Sequence, residues 1–269
     1  LNGNRYATFH QLNEEQNQAL FADSRLKDVG SWIFLGRVPL QDSSLTLYLR
    51  EYQGNALQAY PSVGTLKEGR LPERAGEIAL SEETLRYLGF AAGSADSGAE
   101  PGTIRLGDTV RLPVSVGLKT DTQPPYEYTA DFLVTGILEN NYIGYVSGTL
   151  NAVVGEGTAE ELLPKRYFLY STDFKTENHS QFQSIVWDLS ETLQVAEDDV
   201  QYNWILLDAL GISYEKESNA DTGSGFPFMA AACVLTGALI LLAAGLVIYN
   251  ILKVAVTKRI REYGTLRAI

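Results

Sequence analysis

The sequence predicts an α+β protein: a ferredoxin-like split βαβ lobe, a β-rich lobe inserted into it, and one transmembrane α-helix after both. Three observations carry that reading. Strand–helix–strand patterns occur twice, at residues 5–38 and 166–207. The stretch between them, about 60–150, is dominated by period-two alternation and turn residues. No charged residue occurs in the 31 positions from Thr222 to Leu252.

Taken in order, Tyr6–Phe9 reads as a strand. Asn13 followed by Glu14, Glu15 and Gln16 predicts a helix start, with an Asn cap, acids in the first turn and Gln at the third position. That helix should run to about Phe21, before a strand at Trp32–Val38. Leu45, Leu47 and Leu49 alternate with Thr46, Tyr48 and Arg50, a strand with one buried face. In the insert, Ser81 is placed to cap a short helix that stops at Gly89. Val110, Leu112, Val114 and Val116 alternate with polar residues, and Pro113 among them suits an edge strand. Phe132–Leu138 is a further strand, while Ala91–Gly102 and Lys119–Tyr128 read as mobile loops. In the second unit, Arg166–Tyr170 is expected as a strand. Phe182, Ile185, Val186, Leu189 and Leu193 have helical spacing, and Tyr202–Leu207 is again strand-like.

The domain plan is therefore one lobe from 1–59 and 151–213, an inserted lobe at 60–150 and a polar linker at 214–225. A membrane helix follows at 226–252, then a basic segment at 253–269. At about 1.5 Å per residue the 27-residue helix reaches roughly 40 Å, more than the roughly 30 Å hydrocarbon core of a bilayer. A mean hydropathy of −0.08 conceals this division.

Charge divides at the same place. The chain holds 21 basic and 33 acidic residues, a net charge of −12. Residues 253–269 contain Lys253, Lys258, Arg259, Arg261 and Arg267 against the single acid Glu262. The tail is thus +4 and the remainder −16. The positive-inside rule places the tail in the cytoplasm and residues 1–225 outside. The acidity argues against nucleic acid, which wants a basic face. Anionic lipid suits the tail, where a juxtamembrane anchor would draw about 1 kcal/mol per basic residue. The lone cysteine, Cys233, lies within the span, so no disulfide is expected to brace the outer part. The chain opens on Leu1 and stops at Ile269 in mid-pattern. It reads as a fragment, with a preceding transmembrane helix as the expectation.

No catalytic residue, cofactor site or metal site is expected. There are two histidines, His10 and His179, far apart in sequence and without a cysteine outside the span. Neither a GxSxG elbow nor a GxxxxGK[ST] phosphate loop occurs. Within the span, Gly237 and Gly245 share a face, and Ala232 with Thr236 forms a small-xxx-small pair. Either a partner helix packs there or the face meets lipid. In the tail, Val256, Ile260, Tyr263 and Leu266 form an apolar stripe at 3–4 spacing.

Two groups of segments resemble a known family. The first comprises Gly69-Arg70-Leu71-Pro72, Gly76-Glu77-Ile78-Ala79-Leu80-Ser81, Leu88-Gly89, Gly107-Asp108-Thr109-Val110 and Phe132-Leu133-Val134-Thr135-Gly136-Ile137. The second runs from Lys258 to Ile269, directly after the membrane helix. Together they resemble the MacB/FtsX-type permease subunit of ABC transporters. That resemblance implies a large extracytoplasmic domain between membrane helices one and two, and a location in the bacterial cytoplasmic membrane. It implies that Arg259, Arg261, Glu262, Gly264, Leu266 and Arg267 lead into a coupling helix that meets a partner ATPase subunit. ATP would be bound by that partner rather than by this chain. A second permease copy or half, membrane lipid and an extracytoplasmic substrate or protein complete the implied partners. The expected function is mechanotransmission: ATP hydrolysis moves the outer domain to export or release a substrate. The alternatives are an FtsX-like regulator whose outer domain activates an extracellular enzyme, and a single-pass receptor.

Overall fold

Local chemistry sets the first elements. Asn13 accepts from the Gln16 amide at 2.9 Å, and the Gln16 side chain accepts from the Asn13 amide at 2.8 Å. This reciprocal box starts helix α1 (Glu14–Ala22) between strands β1 (Ala7–Leu12) and β2 (Leu26–Pro39). The structure is a computed structural model that describes residues 3–42, 44–92, 102–118, 124–214 and 228–266. β3 (Thr46–Gly54), α2 (Pro61–Gly64), β4 (Leu66–Gly69), β5 (Glu77–Ser81) and α3 (Glu82–Tyr87) follow. Next come β6 (Ala91–Ala92), β7 (Thr103–Ile104), β8 (Thr109–Val116) and β9 (Tyr126–Leu138). The chain continues through α4 (Tyr142–Val146), β10 (Thr149–Val154), α5 (Thr158–Leu162), β11 (Tyr170–Thr176), α6 (Phe182–Thr192) and β12 (Val200–Tyr202). It ends with α7 (Trp204–Leu210) and α8 (Phe228–Leu266). Two compact units result, residues 1–206 and 207–269.

The first unit is α+β, built on one large sheet. Four strands stand in the order β12-β1-β11-β2, every neighbour antiparallel. With α1 linking β1 to β2 and α6 linking β11 to β12, this is the split βαβ arrangement. Everything between β2 and β11 is an excursion from it.

That excursion extends the sheet through β3, β10, β5 and β9. β3 pairs with β10 in parallel, as β5 does with β9. β8 then pairs along its length with β9 and returns to β2 at Arg37 and Ser115. The ring β2-β3-β10-β5-β9-β8 is a closed six-stranded barrel. Its closure depends on Gly36, which has φ +140° and stands at a bulge in the β2–β3 pairing. A Cβ there would lie 2.6 Å from Val114 Cγ1 and 2.8 Å from the Ser115 carbonyl, so only glycine admits β8 this close. The alternating residues Val110, Leu112, Val114 and Val116 are buried, as are Phe132 and Val134 opposite them. Pro113 pairs with Thr129 of β9, and the contact of β8 with β2 is recorded at Ser115 and not at Pro113.

Three expectations are corrected. Arg166–Tyr170 is not a strand. Pro164 leads into a 3-10 turn at Lys165–Tyr167, and pairing with β2 begins only at Tyr170, opposite Ile33. Tyr202–Leu207 is not one strand either. Pairing with β1 ends at Tyr202, Asn203 turns inward, and Trp204–Leu210 is helical. Tyr126–Tyr128, expected in a mobile loop, lies in β9 because these residues pair with Val114–Val116. In the other expected loop, Ala91–Ala92 pairs in parallel with Thr103–Ile104, and 93–101 lies outside the described residues, as do 119–123.

The second unit is dominated by α8, 39 residues long. Ala231–Val256 is long and apolar enough to cross a membrane, and none of it is buried. Residues 226 and 227 of the expected span, and 215–225 of the expected linker, lie outside the described residues. The helix does not stop at Leu252 but continues unbroken into the basic segment.

Candidate functional site

Five of the six residues expected to couple to an ATPase fall at the far end of α8. Arg259, Arg261, Glu262, Gly264 and Leu266 are in its last two turns, and Arg259 is exposed. Arg267 lies outside the described residues. The helix is continuous from Phe228 to Leu266. No proline interrupts it. In the apolar part, Thr236, Gly237 and Gly245 are exposed and Ala232 is half-buried. A Cβ on either glycine would meet nothing within 4 Å, so this face is open to close approach by another helix.

Within the first unit, a buried polar joint ties the split lobe to the start of the inserted lobe. Asp173 on β11 is fully buried and holds Arg5 at 2.9 Å. Thr8 donates to Asp173 at 2.5 Å, and Tyr60 donates to its other oxygen at 2.9 Å. Arg5 also donates to Thr8, reaches Gln201 Oε1 at 3.1 Å and sits over the Tyr60 ring. Burial pushes the Asp173 carboxyl up, and the Arg5 charge opposes it. Burial also pushes the Tyr60 phenol far above its ordinary range. Tyr60 lies within the excursion, just after β3. This single side chain therefore links the first lobe to an apolar cluster of Ala59, Val63, Ala79, Leu138 and Val153.

The same joint gathers the ends of the unit. Asn203 donates through its side chain to the Gly3 and Arg5 carbonyls at 3.1 and 2.9 Å. Its amide donates to the Tyr6 carbonyl at 2.9 Å. The Asn4 amide donates to the Ala59 carbonyl at 3.1 Å. The strand that begins the unit and the residue that precedes α7 are therefore within hydrogen-bond distance.

The Gly69–Gly76 motif has a structural explanation. Arg70 clasps Glu77 with two bonds, 2.8 and 2.5 Å, and Glu77 also accepts from the Glu73 and Arg74 amides at 2.9 and 3.2 Å. The Arg70 guanidinium, with those amides, holds the Glu77 carboxyl at about 2. The loop before β5 is thereby pinned to it. The two histidines serve packing. His10 meets Ser171 and Gln201 at 2.9 and 3.0 Å, and burial pushes its imidazole down. His179 bonds the Tyr6 hydroxyl at 2.9 Å.

Sequence reasoning missed the Arg5–Asp173–Tyr60 joint. Its members are spread over 169 positions, and the only local sign was a charged residue inside an otherwise strand-like segment.

No family model matches the chain, and no curated protein matches it. Among solved structures, the fold is similar to the periplasmic region of MacB from Actinobacillus actinomycetemcomitans. The identity is 13% and the TM-score 0.44, over 79% of this chain and 95% of that one. It is also similar to the extracellular domain of the noncanonic ABC-type transporter YknZ from Gram-positive bacteria. There the identity is 14% and the TM-score 0.42, over 74% of this chain and 99% of that one.

Proposed function

We propose that this chain is the permease subunit of a MacB/FtsX-type ABC transporter and transmits ATP-driven movement to an extracytoplasmic domain. The observation that carries the reading is α8: an exposed apolar span that runs without a break into a basic segment resembling that family's coupling region. The adjoining ends of the first unit support it, because a domain whose ends meet can be worked from neighbouring membrane helices. In this reading a separate ATPase binds and hydrolyses ATP, and Arg259, Arg261, Glu262, Gly264, Leu266 and Arg267 form the contact with it. Residues 1–225 lie outside the cytoplasmic membrane and 253–269 inside. Helix approach at Ala232, Thr236, Gly237 and Gly245 joins the span to another membrane helix. The outer lobes then expel or release a substrate without passing it through a central channel.

The test is charge reversal. Chains carrying Arg261→Glu and Arg267→Glu should reach the membrane yet lose co-purification with an ABC ATPase and lose transport. Undiminished association and transport would refute the coupling role.

A further inference from the structure

The inserted barrel has an outer face that the interior packing does not explain. On β2 and β3, Ile33, Leu35, Leu47 and Leu49 are fully buried. Strand alternation sends Trp32, Phe34, Tyr48 and Arg50 to the opposite face. The bulge at Gly36 adds one residue to β2 and so moves Arg37 onto that face as well. These side chains floor a cleft of about 370 Å³, walled by His10 on β1 and by Tyr167.

The cleft is cationic and aromatic at one end. The Arg50 guanidinium lies 4.6 Å over the Trp32 ring and 5.6 Å from the Tyr48 ring, while Arg37 lies 5.6 Å from Tyr48. Among the described residues, no carboxylate forms an ion pair with Arg37 or Arg50, although acids far outnumber bases outside the tail. The Arg50 Nε is buried without a hydrogen-bond partner among those residues. Asp198 and Asp199 also border the cleft, and Asp199 accepts from Gln11 at 2.6 Å. His10, with its pKa lowered by burial and both ring nitrogens bonded, adds no fixed positive charge.

We propose that this cleft binds an amphipathic carboxylate, its acid group on Arg37 and Arg50 and its flat apolar body on Trp32 and Tyr48. A guanidinium stacked on aromatic rings keeps its in-plane donors free, which is the arrangement that grips a planar carboxylate. The volume suits one small molecule with an apolar body. The site stands on the cleft geometry alone and does not depend on the transporter reading.

The experiment uses the full chain in nanodiscs of uncharged lipid, with empty nanodiscs as the blank. Equilibrium dialysis compares naphthalene-2-carboxylate with the isosteric neutral probe 2-naphthamide. Saturable binding is expected, with the acid bound at least tenfold more tightly. Arg37→Gln, at an exposed position, and Arg50→Gln should each abolish that preference while leaving the thermal midpoint within a few degrees. Lys67→Gln removes the same charge elsewhere and should change nothing. Equal binding of acid and amide would overturn the proposal. So would no saturable binding, retention of the preference in Arg37→Gln, or an equal loss in Lys67→Gln.

Discussion

The four-stranded part of the sheet buries a carboxylate, Asp173, completely, beside the equally buried Phe9 and Phe174. The barrel buries a phenyl ring, Phe132, as fully. Asp173 is held by Arg5 and Thr8, both near the start of β1, and by Tyr60 beyond β3; Phe132 stands opposite Val110 of β8. Apolar packing stabilises whatever shape fills the space. A buried charge tolerates one partner geometry and strongly disfavours others. Besides the shared strand β2, the split lobe is therefore tied by a buried charge to Tyr60, while the barrel interior is filled by apolar side chains.

Removing one side of the joint should have the greater effect. Asp173→Ala leaves Arg5 buried without its counter-charge and should cost about 3–5 kcal/mol in urea unfolding followed by tryptophan fluorescence. The double change Arg5→Met with Asp173→Leu should regain most of that loss, because neither charge is then stranded. If the double variant is as unstable as the single one, the joint contributes net stability as well as specificity.

The Arg70–Glu77 clasp should have a smaller and pH-dependent effect. Glu77 has its carboxyl at about 2 in the folded chain, against an ordinary value of 4.5. A lowered carboxylate value contributes stability that is fully present above 4.5 and is lost as pH falls toward 2. Glu77→Gln should cost about 1.5 kcal/mol at neutral pH, since Arg70 is half-exposed and solvent screens the pair. The gap between variant and parent should close across that same acidic window in thermal melts at stepped pH. A gap constant from pH 6 to pH 2.5 would show that the clasp acts through shape and not charge.

The contrast between the two lobes also explains what the sequence could reveal. Val110–Val116 alternates cleanly because one face of β8 is apolar throughout, and Asn13 with Gln16 is a local cap, so both were legible. β11 was not, because Ser171, Thr172 and Asp173 are buried polar residues whose partners lie on β1, α1 and beyond β3. Barrel closure was hidden for a related reason. It rests on one non-local pairing of Arg37 with Ser115, and its only local sign is a glycine. The membrane segment was plain from charge alone, but its continuation past Leu252 depends on the helical backbone carrying straight through Lys253. The Arg70 and Glu77 motif was visible as residues and not as a pair. The aromatic and arginine face of β2–β3 required the bulge at Gly36, which no spacing rule marks.

Capture at the end of α8 is the most direct measurement of the transmission role. Arg261→p-benzoylphenylalanine, in the full chain in native membranes, would be illuminated and its adducts identified by mass. A covalent adduct with an ABC ATPase is the predicted result, and adducts confined to lipid would contradict it.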